Sequence, residues 1–368
     1  MDFNYDDDQL ALQDAIKSLI TLGTPGAEHP TRWAGYADMG LLGLPFEESV
    51  GGMGAGPVEV SLVAEQMGRT LAPEPYIEAV VLAGGLIDAC GTQDQRGRIL
   101  QGVADGTRIP IFAGLEPGHR WSFNAGGVRA RRSGDGWVLS GVKEPVVDGA
   151  LATVFVVSAL IDEEHVGLFL VDPAAANVSA YSTFDGGQAA RVSFTESPAE
   201  PLGEAIDRCA EISHAVAATQ IAYCHEALGC MEAALSLTTG YLTTRKQFGV
   251  TLNRFQALNF RAADMYTSVE LTRSIVMWAT MVLAESTSST HDVIEAAARA
   301  KLQASRAGRH VGQEAIQLHG GIGMTAEYVV GHYTARLTAI DHLLGDGRAQ
   351  AAKLVETLTE HDVVDALP

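Results

Sequence analysis

Apolar residues recur at helical spacing in 9–22, 32–42, 57–67, 75–90 and 93–103, and Gly and Pro set each segment off from the next. The pattern predicts an all-helical N-terminal unit over 1–107. From Arg108 the texture changes. Short apolar or alternating runs (Ile109-Pro110-Ile111-Phe112, Trp137-Val138-Leu139, 152–161 and 166–171) are bounded by Gly, Asp and Pro, which predicts a middle β unit over 108–203. Helical periodicity returns near Glu204. Leu228, Met231, Leu235 and Leu242 fall on one stripe, and Ile294, Ala298 and Leu302 continue the pattern. The Ala-rich stretch 296–316 suits close helix packing, so a C-terminal helical bundle is expected over 204–368.

Composition narrows the class. The chain has 368 residues, 47% apolar and 19% charged, enough to bury a large core as an ordinary globular protein. Its start is acidic and polar, and no apolar run is long enough to span a bilayer, so a cytoplasmic location with no membrane span is expected. Cys90, Cys209, Cys224 and Cys230 form no CxxC pair and have no histidines at zinc-ligand spacing, which predicts reduced thiols and no metal. The net charge of -20 disfavours nucleic acid and anionic membranes as partners, although a local basic pocket could still hold a CoA ester.

The order helical, β, helical gains meaning from local strings. Met39-Gly40-Leu41-Leu42-Gly43-Leu44-Pro45, Gly51-Gly52-Met53-Gly54-Ala55-Gly56 and Ala64-Glu65-Gln66-Met67-Gly68-Arg69 occur in the first unit. Arg245-Lys246-Gln247-Phe248-Gly249 with Phe255-Gln256, and Gln317-Leu318-His319-Gly320-Gly321-Ile322-Gly323 before Glu327-Tyr328, occur in the last. Together they resemble the acyl-CoA dehydrogenase family over nearly the whole chain. The resemblance implies that family's fold: an α-helical N-terminal domain, a central β-domain and a C-terminal helical bundle.

It also implies FAD, an acyl-CoA substrate and an electron-transfer acceptor. In this chemistry a carboxylate removes the proton α to the thioester carbonyl and the β-hydrogen leaves as hydride to flavin. By residue-to-residue resemblance, Arg245 meets the pyrophosphate of a neighbouring subunit's FAD. Gln247, Phe248, Gln256, Gln317, Gly320 and Gly321 line its adenosine and diphosphate end. Arg is a planar, permanently charged fork for phosphate, and paired glycines let backbone approach a ligand. Gly321-Ile322-Gly323 follows a helical segment rather than a strand, so no nicotinamide fingerprint is read there.

Two departures follow. The chain keeps Glu116-Pro117-Gly118 but continues His119-Arg120-Trp121, and where the family has a Thr or Ser facing the flavin ring it reads Gly141-Val142-Lys143-Glu144-Pro145-Val146-Val147. Pro145 has no N–H to donate. The family's catalytic Glu stands at one of two places, and these fall on Thr219 and near Leu343, neither a base. Asp341 and Glu226 are the nearest carboxylates, while His319 and His332 read as packing or hydrogen-bonding residues. The pattern is similar to the non-catalytic subunit of heteromeric α2β2 steroid side-chain acyl-CoA dehydrogenases, whose partner is a homologous subunit carrying the Glu. Two alternatives stand beside it: a complete homotetramer using Asp341, and a flavin-free CoA-binding or scaffolding protein.

Overall fold

The computed structural model describes residues 5–20, 29–123 and 126–357. Its first part is helical: α1 (Asp7–Leu19), α2 (His29–Asp38), α3 (Pro57–Thr70), a π-helix (Ile77–Gly84), α4 (Gly85–Cys90) and α5 (Gln93–Ala104). Helix α1 starts on a capping box in which Asp6 accepts from the Gln9 backbone N–H and Gln9 returns the bond, so it begins two residues before the predicted segment. Positions 21 and 22 of that segment lie outside the described residues. The predicted 32–42 helix divides, because Gly40 takes φ +78° and Leu41–Gly43 form a separate 3₁₀ turn.

Strands lie between Pro110 and Pro201: β1 (Pro110–Ala113), β2 (Arg129–Ser133), β3 (Gly136–Val147), β4 (Val154–Leu160), β5 (Val166–Val171), β6 (Asn177–Ser182) and β7 (Gln188–Pro201). The order runs β1-β4-β2-β3-β7-β5, with β6 on β7, and the β4–β5 pairing closes the sheet on itself. Strands β4 and β5 are buried on both faces. Phe155, Val157, Phe169 and Val171 fill the sheet's own core, while Val154, Val156, Leu168 and Leu170 join the helical core. This period-two split welds the β unit to the helices.

The C-terminal part holds α6 (Cys209–Thr244), a two-stranded hairpin of β8 (Lys246–Gln247) and β9 (Val250–Thr251), α7 (Gln256–Ala284), α8 (Thr290–His319), α9 (Val330–His342) and α10 (Gly347–Glu356). Helix α6 crosses α3 where Gly229 and Gly68 meet the opposing backbones, and Cys230 Sγ donates to the Gly68 carbonyl at 3.2 Å. Beside the crossing, Glu65 and Arg69 of the N-terminal string serve an ion network: Arg69 pairs with Glu65 and Glu232, and Arg273 of α7 also reaches Glu232. Burial works against ionised Glu65, but His225, Arg69 and Arg273 outweigh it and hold the carboxyl at about 2.

All four cysteines are free thiols, and among the described residues there is no metal-binding cluster and no helix long and apolar enough to cross a membrane.

Candidate functional site

Helix α6 ends where Arg245 leaves the helical conformation (φ -72°, ψ 129°) and the chain turns through β8 and β9. Phe248 at φ +52° and Gly249 at φ +84° make the tight turn, a strained conformation for Phe, and the ring is 91% exposed. Helix α8 ends at Gly320 (φ +66°, ψ -142°), a region open in practice only to glycine. An aromatic knot holds the two signatures together. Tyr241 of α6 packs on His319 of α8 (centroids 4.6 Å), and His319 packs on Tyr328 (4.9 Å). His319 Nδ1 bonds the Ala315 carbonyl at 2.7 Å and His332 Nε2 bonds that of Ala326 at 3.1 Å, so both histidines do structural work.

Arg245, Gln247, Phe248, Gln256, Gln317, Gly320 and Gly321 are all exposed at this end of the bundle. Among the described residues, none forms an ion pair with Arg245, Lys246 or Arg254. The sequence reading does not single out Lys246 and Arg254, although a signal was there: no Asp or Glu occurs between Glu232 and Asp264 in a chain with 45 acids. This acid-free stretch gives an acidic protein one outward-facing cationic surface. Exposed Phe260, Ile322 and Met324 border it. Cations, amide side chains and glycine backbone suit a diphosphate and its nucleoside, presented outward rather than into the chain's own interior.

Thr219 and Leu343 lie on neighbouring segments. Gln220, next to Thr219, donates through Nε2 to the Leu344 carbonyl at 2.6 Å, next to Leu343. Thr219 is fully buried and its hydroxyl is spent on the Ala215 carbonyl at 2.7 Å. Leu343 caps α9. The nearby carboxylates are engaged. Asp341, 8% exposed, accepts from the Gly347 N–H at 3.1 Å and faces Arg309 at 3.4 Å. Glu226 is held bidentately by the Nε–Nη2 edge of the Arg336 guanidinium, at 2.6 and 3.0 Å. Lys301, buried beneath α9, donates to the Ile340 and Asp341 carbonyls, and burial lowers its amine to about 8.

On the β side, Glu116 and Lys143 turn inward. The Glu116 carboxylate accepts from the N–H groups of Gly126, Gly127 and Val128 and from Lys143 Nζ at 2.9 Å. Lys143 also donates to the Gly114 carbonyl and Ser158, and burial lowers its amine to about 8 against the pull of Glu116. The Glu-Pro-Gly and Gly-x-Lys strings thus fix the loop rather than offer groups to a ligand. Pro145 stands exposed with no N–H to donate, and the Trp121 indole N–H donates to the His342 carbonyl at 3.0 Å, tying the 119–121 loop onto the end of α9. By their chemistry the exposed Arg245, Gln247, Gln256 and Gln317 side chains suit the adenosine-diphosphate end of FAD, whereas Glu116, Lys143 and Pro145 offer nothing to its ring end.

Comparison with known proteins agrees with this architecture. The family model for acyl-CoA dehydrogenase N-terminal domains matches 22–107 and that for the C-terminal domain matches 212–358. The chain is 26% identical to the probable acyl-CoA dehydrogenase YngJ of Bacillus subtilis, across 96% of this chain and 98% of that one. A solved variant of the steroid ACAD Tcur3481-Tcur3483 is 31% identical with a TM-score of 0.86, covering 96% of this chain and 98% of its own. The ChsE4-ChsE5 complex from Mycobacterium tuberculosis is 26% identical with a TM-score of 0.88, covering 99% and 100%. This chain belongs to the acyl-CoA dehydrogenase family, whose members work with FAD.

Proposed function

We propose that this chain is the non-catalytic subunit of a heteromeric, FAD-dependent acyl-CoA dehydrogenase that desaturates an acyl-CoA thioester at the α,β position. One observation carries the reading: Thr219 and Leu343 fill the two base positions, while Asp341 and Glu226 are already committed to neighbours. A homologous subunit supplies the catalytic Glu and the ring-facing strand. FAD, when bound between unlike chains, supplies the hydride acceptor. Arg245 would pair with its pyrophosphate, Gln247, Gln256 and Gln317 would hydrogen-bond its polar edge, Phe248 would pack against its adenosine end, and Gly320 and Gly321 would allow close backbone approach. A steroid-type acyl group is the substrate class, supported by the steroid ACAD and the ChsE4-ChsE5 complex among similar structures. Electrons pass on to a separate acceptor.

The test is turnover of acyl-CoA esters with an artificial electron acceptor, by the chain alone and after co-expression with its homologous partner. The expected result is turnover in the complex only. Turnover by the chain alone would favour a self-sufficient homotetramer. In the active complex, Asp341→Asn is expected to change kcat by less than about twofold, whereas loss of a true general base costs about 100-fold or more. A stopped-flow comparison of the two complexes checks this.

A further inference from the structure

A second cluster lies one turn along α6 from Thr219. Five segments far apart in sequence supply it. Tyr223, one turn along α6 from Thr219, donates its hydroxyl to Glu78 of the π-helix. Arg336 of α9 pairs with Glu226 through its Nε–Nη2 edge and with Asp185 of the β6–β7 loop through Nη1 at 3.0 Å. Its guanidinium also lies over the Tyr223 ring, 5.9 Å from the centroid. Asp148 follows directly on the 143–147 segment and couples electrostatically to Arg336, Asp185 and Glu226. The cluster thus lies between α6, which carries Thr219, and α9, which ends at Leu343, beside the two positions where the resemblance puts the base and so where a thioester's α-carbon would stand.

The cluster fills that space. Tyr223 is 2% exposed, Glu78 5% and Glu226 4%, and Arg336 keeps 27% of its side chain open. Above it, the Trp121–His342 bond closes the loop over the end of α9. The charge is wrong for the reaction as well. The one guanidinium is already paired with two carboxylates, Glu226 and Asp185, and has no free charge to offer the negative charge developing on a thioester as its α-proton leaves.

We infer that a plug of Glu78, Tyr223, Arg336, Glu226 and Asp185 closes this chain's own acyl chamber, so that it holds no acyl group beside its own Thr219. The inference rests on the heteromeric reading and extends it: the base and the room for substrate are both gone from this half, and every thioester is held by the partner.

The test is calorimetric titration of the full chain with non-oxidisable acyl-CoA thioethers of increasing chain length. A chamber that takes up the chain gains about fourfold in affinity per added methylene. Wild type is expected to show affinity independent of acyl length. Glu78→Ala with Tyr223→Ala removes both partners of one bond, leaves no orphaned donor, and is expected to gain length dependence. Glu78→Leu with Tyr223→Phe keeps the volume and should stay flat, which decides the matter with wild type if the truncated pair does not fold. Length-dependent binding by wild type, or a folded truncated pair that stays flat, would overturn the plug. The readout needs neither flavin nor turnover, so failure of the plug is distinguishable from failure of the heteromer.

Discussion

Arg245→Ala, introduced into the co-expressed complex, is expected to weaken FAD binding by about 10- to 100-fold, the worth of a charge-assisted bond to phosphate. Arg245 is exposed and pairs with no described residue of its own chain, so the unfolding midpoint of the isolated chain should not move. Lys at this position retains the charge and loses the planar fork, so it should recover only part of the affinity. Because Lys246 and Arg254 share the surface, binding should also weaken with salt. Flavin retention after gel filtration at two salt concentrations checks both points. Full retention of FAD by Arg245→Ala would remove the cationic end of the bundle from the flavin site.

The second large effect concerns the fold. Gly229→Ala would place a Cβ 1.9 Å from the Glu65 carbonyl oxygen and 2.9 Å from the Arg69 backbone N, and at Gly68 the clash with the Glu226 carbonyl is equally short. These contacts are with backbone, which cannot rotate aside as a side chain can. Helices α3 and α6 must separate, and that also stretches the Cys230–Gly68 bond and the Glu65–Arg69–Glu232 network. The expected loss is about 3 kcal/mol or more, at the upper end for overpacking. Denaturant unfolding checks it, and a loss under about 1 kcal/mol would mean that the crossing is looser than the geometry states. Ala at both positions should cost less than the sum of the single changes, since one displacement relieves both clashes.

Stability should also depend on pH in a way set by the interior acids. Burial pushes Glu78 to about 7, against the Tyr223 hydrogen bond, and pushes Asp148 to about 7, against Arg336. In the unfolded chain both ionise near the ordinary carboxylate values. Between about pH 4 and 7 the folded state therefore binds more protons, and the stability these two groups contribute is present below that window and lost as pH rises through it. Glu65, held at about 2, acts in the opposite sense: its contribution is present above about pH 4.5 and lost as pH falls toward 2. Glu78→Gln should flatten the neutral limb of the pH–stability profile, and thermal melts from pH 4 to 8 measure it.

The alternation of helical and strand periodicity carries the three-part architecture, and the Ala-rich stretch lands on α8 as expected. Individual elements escape where local pattern competes with context. Strand β2 reads Arg-Ala-Arg-Arg-Ser with one buried residue, and β7 ends in a Pro-containing run, so neither resembles a half-buried strand. The 75–90 segment is helical as its spacing predicts, but that spacing does not distinguish the π-helical turns of Ile77–Gly84 from the α-helix that follows. The residues proposed for the flavin end could be named from the sequence because most of them lie in two short strings, 245–249 and 317–323. The Glu78–Tyr223–Arg336 cluster was not, since its members are separated by up to 258 positions (336 − 78) and meet only in the fold.

The central claim, that this chain supplies half of a flavin site and not a whole one, is tested most directly by native mass and visible absorbance together. The chain is purified alone and then with its homologous partner. The account predicts a colourless chain alone and a yellow mixed tetramer holding one FAD per unlike pair. A yellow homotetramer of this chain alone, bleached on adding an acyl-CoA, would contradict it.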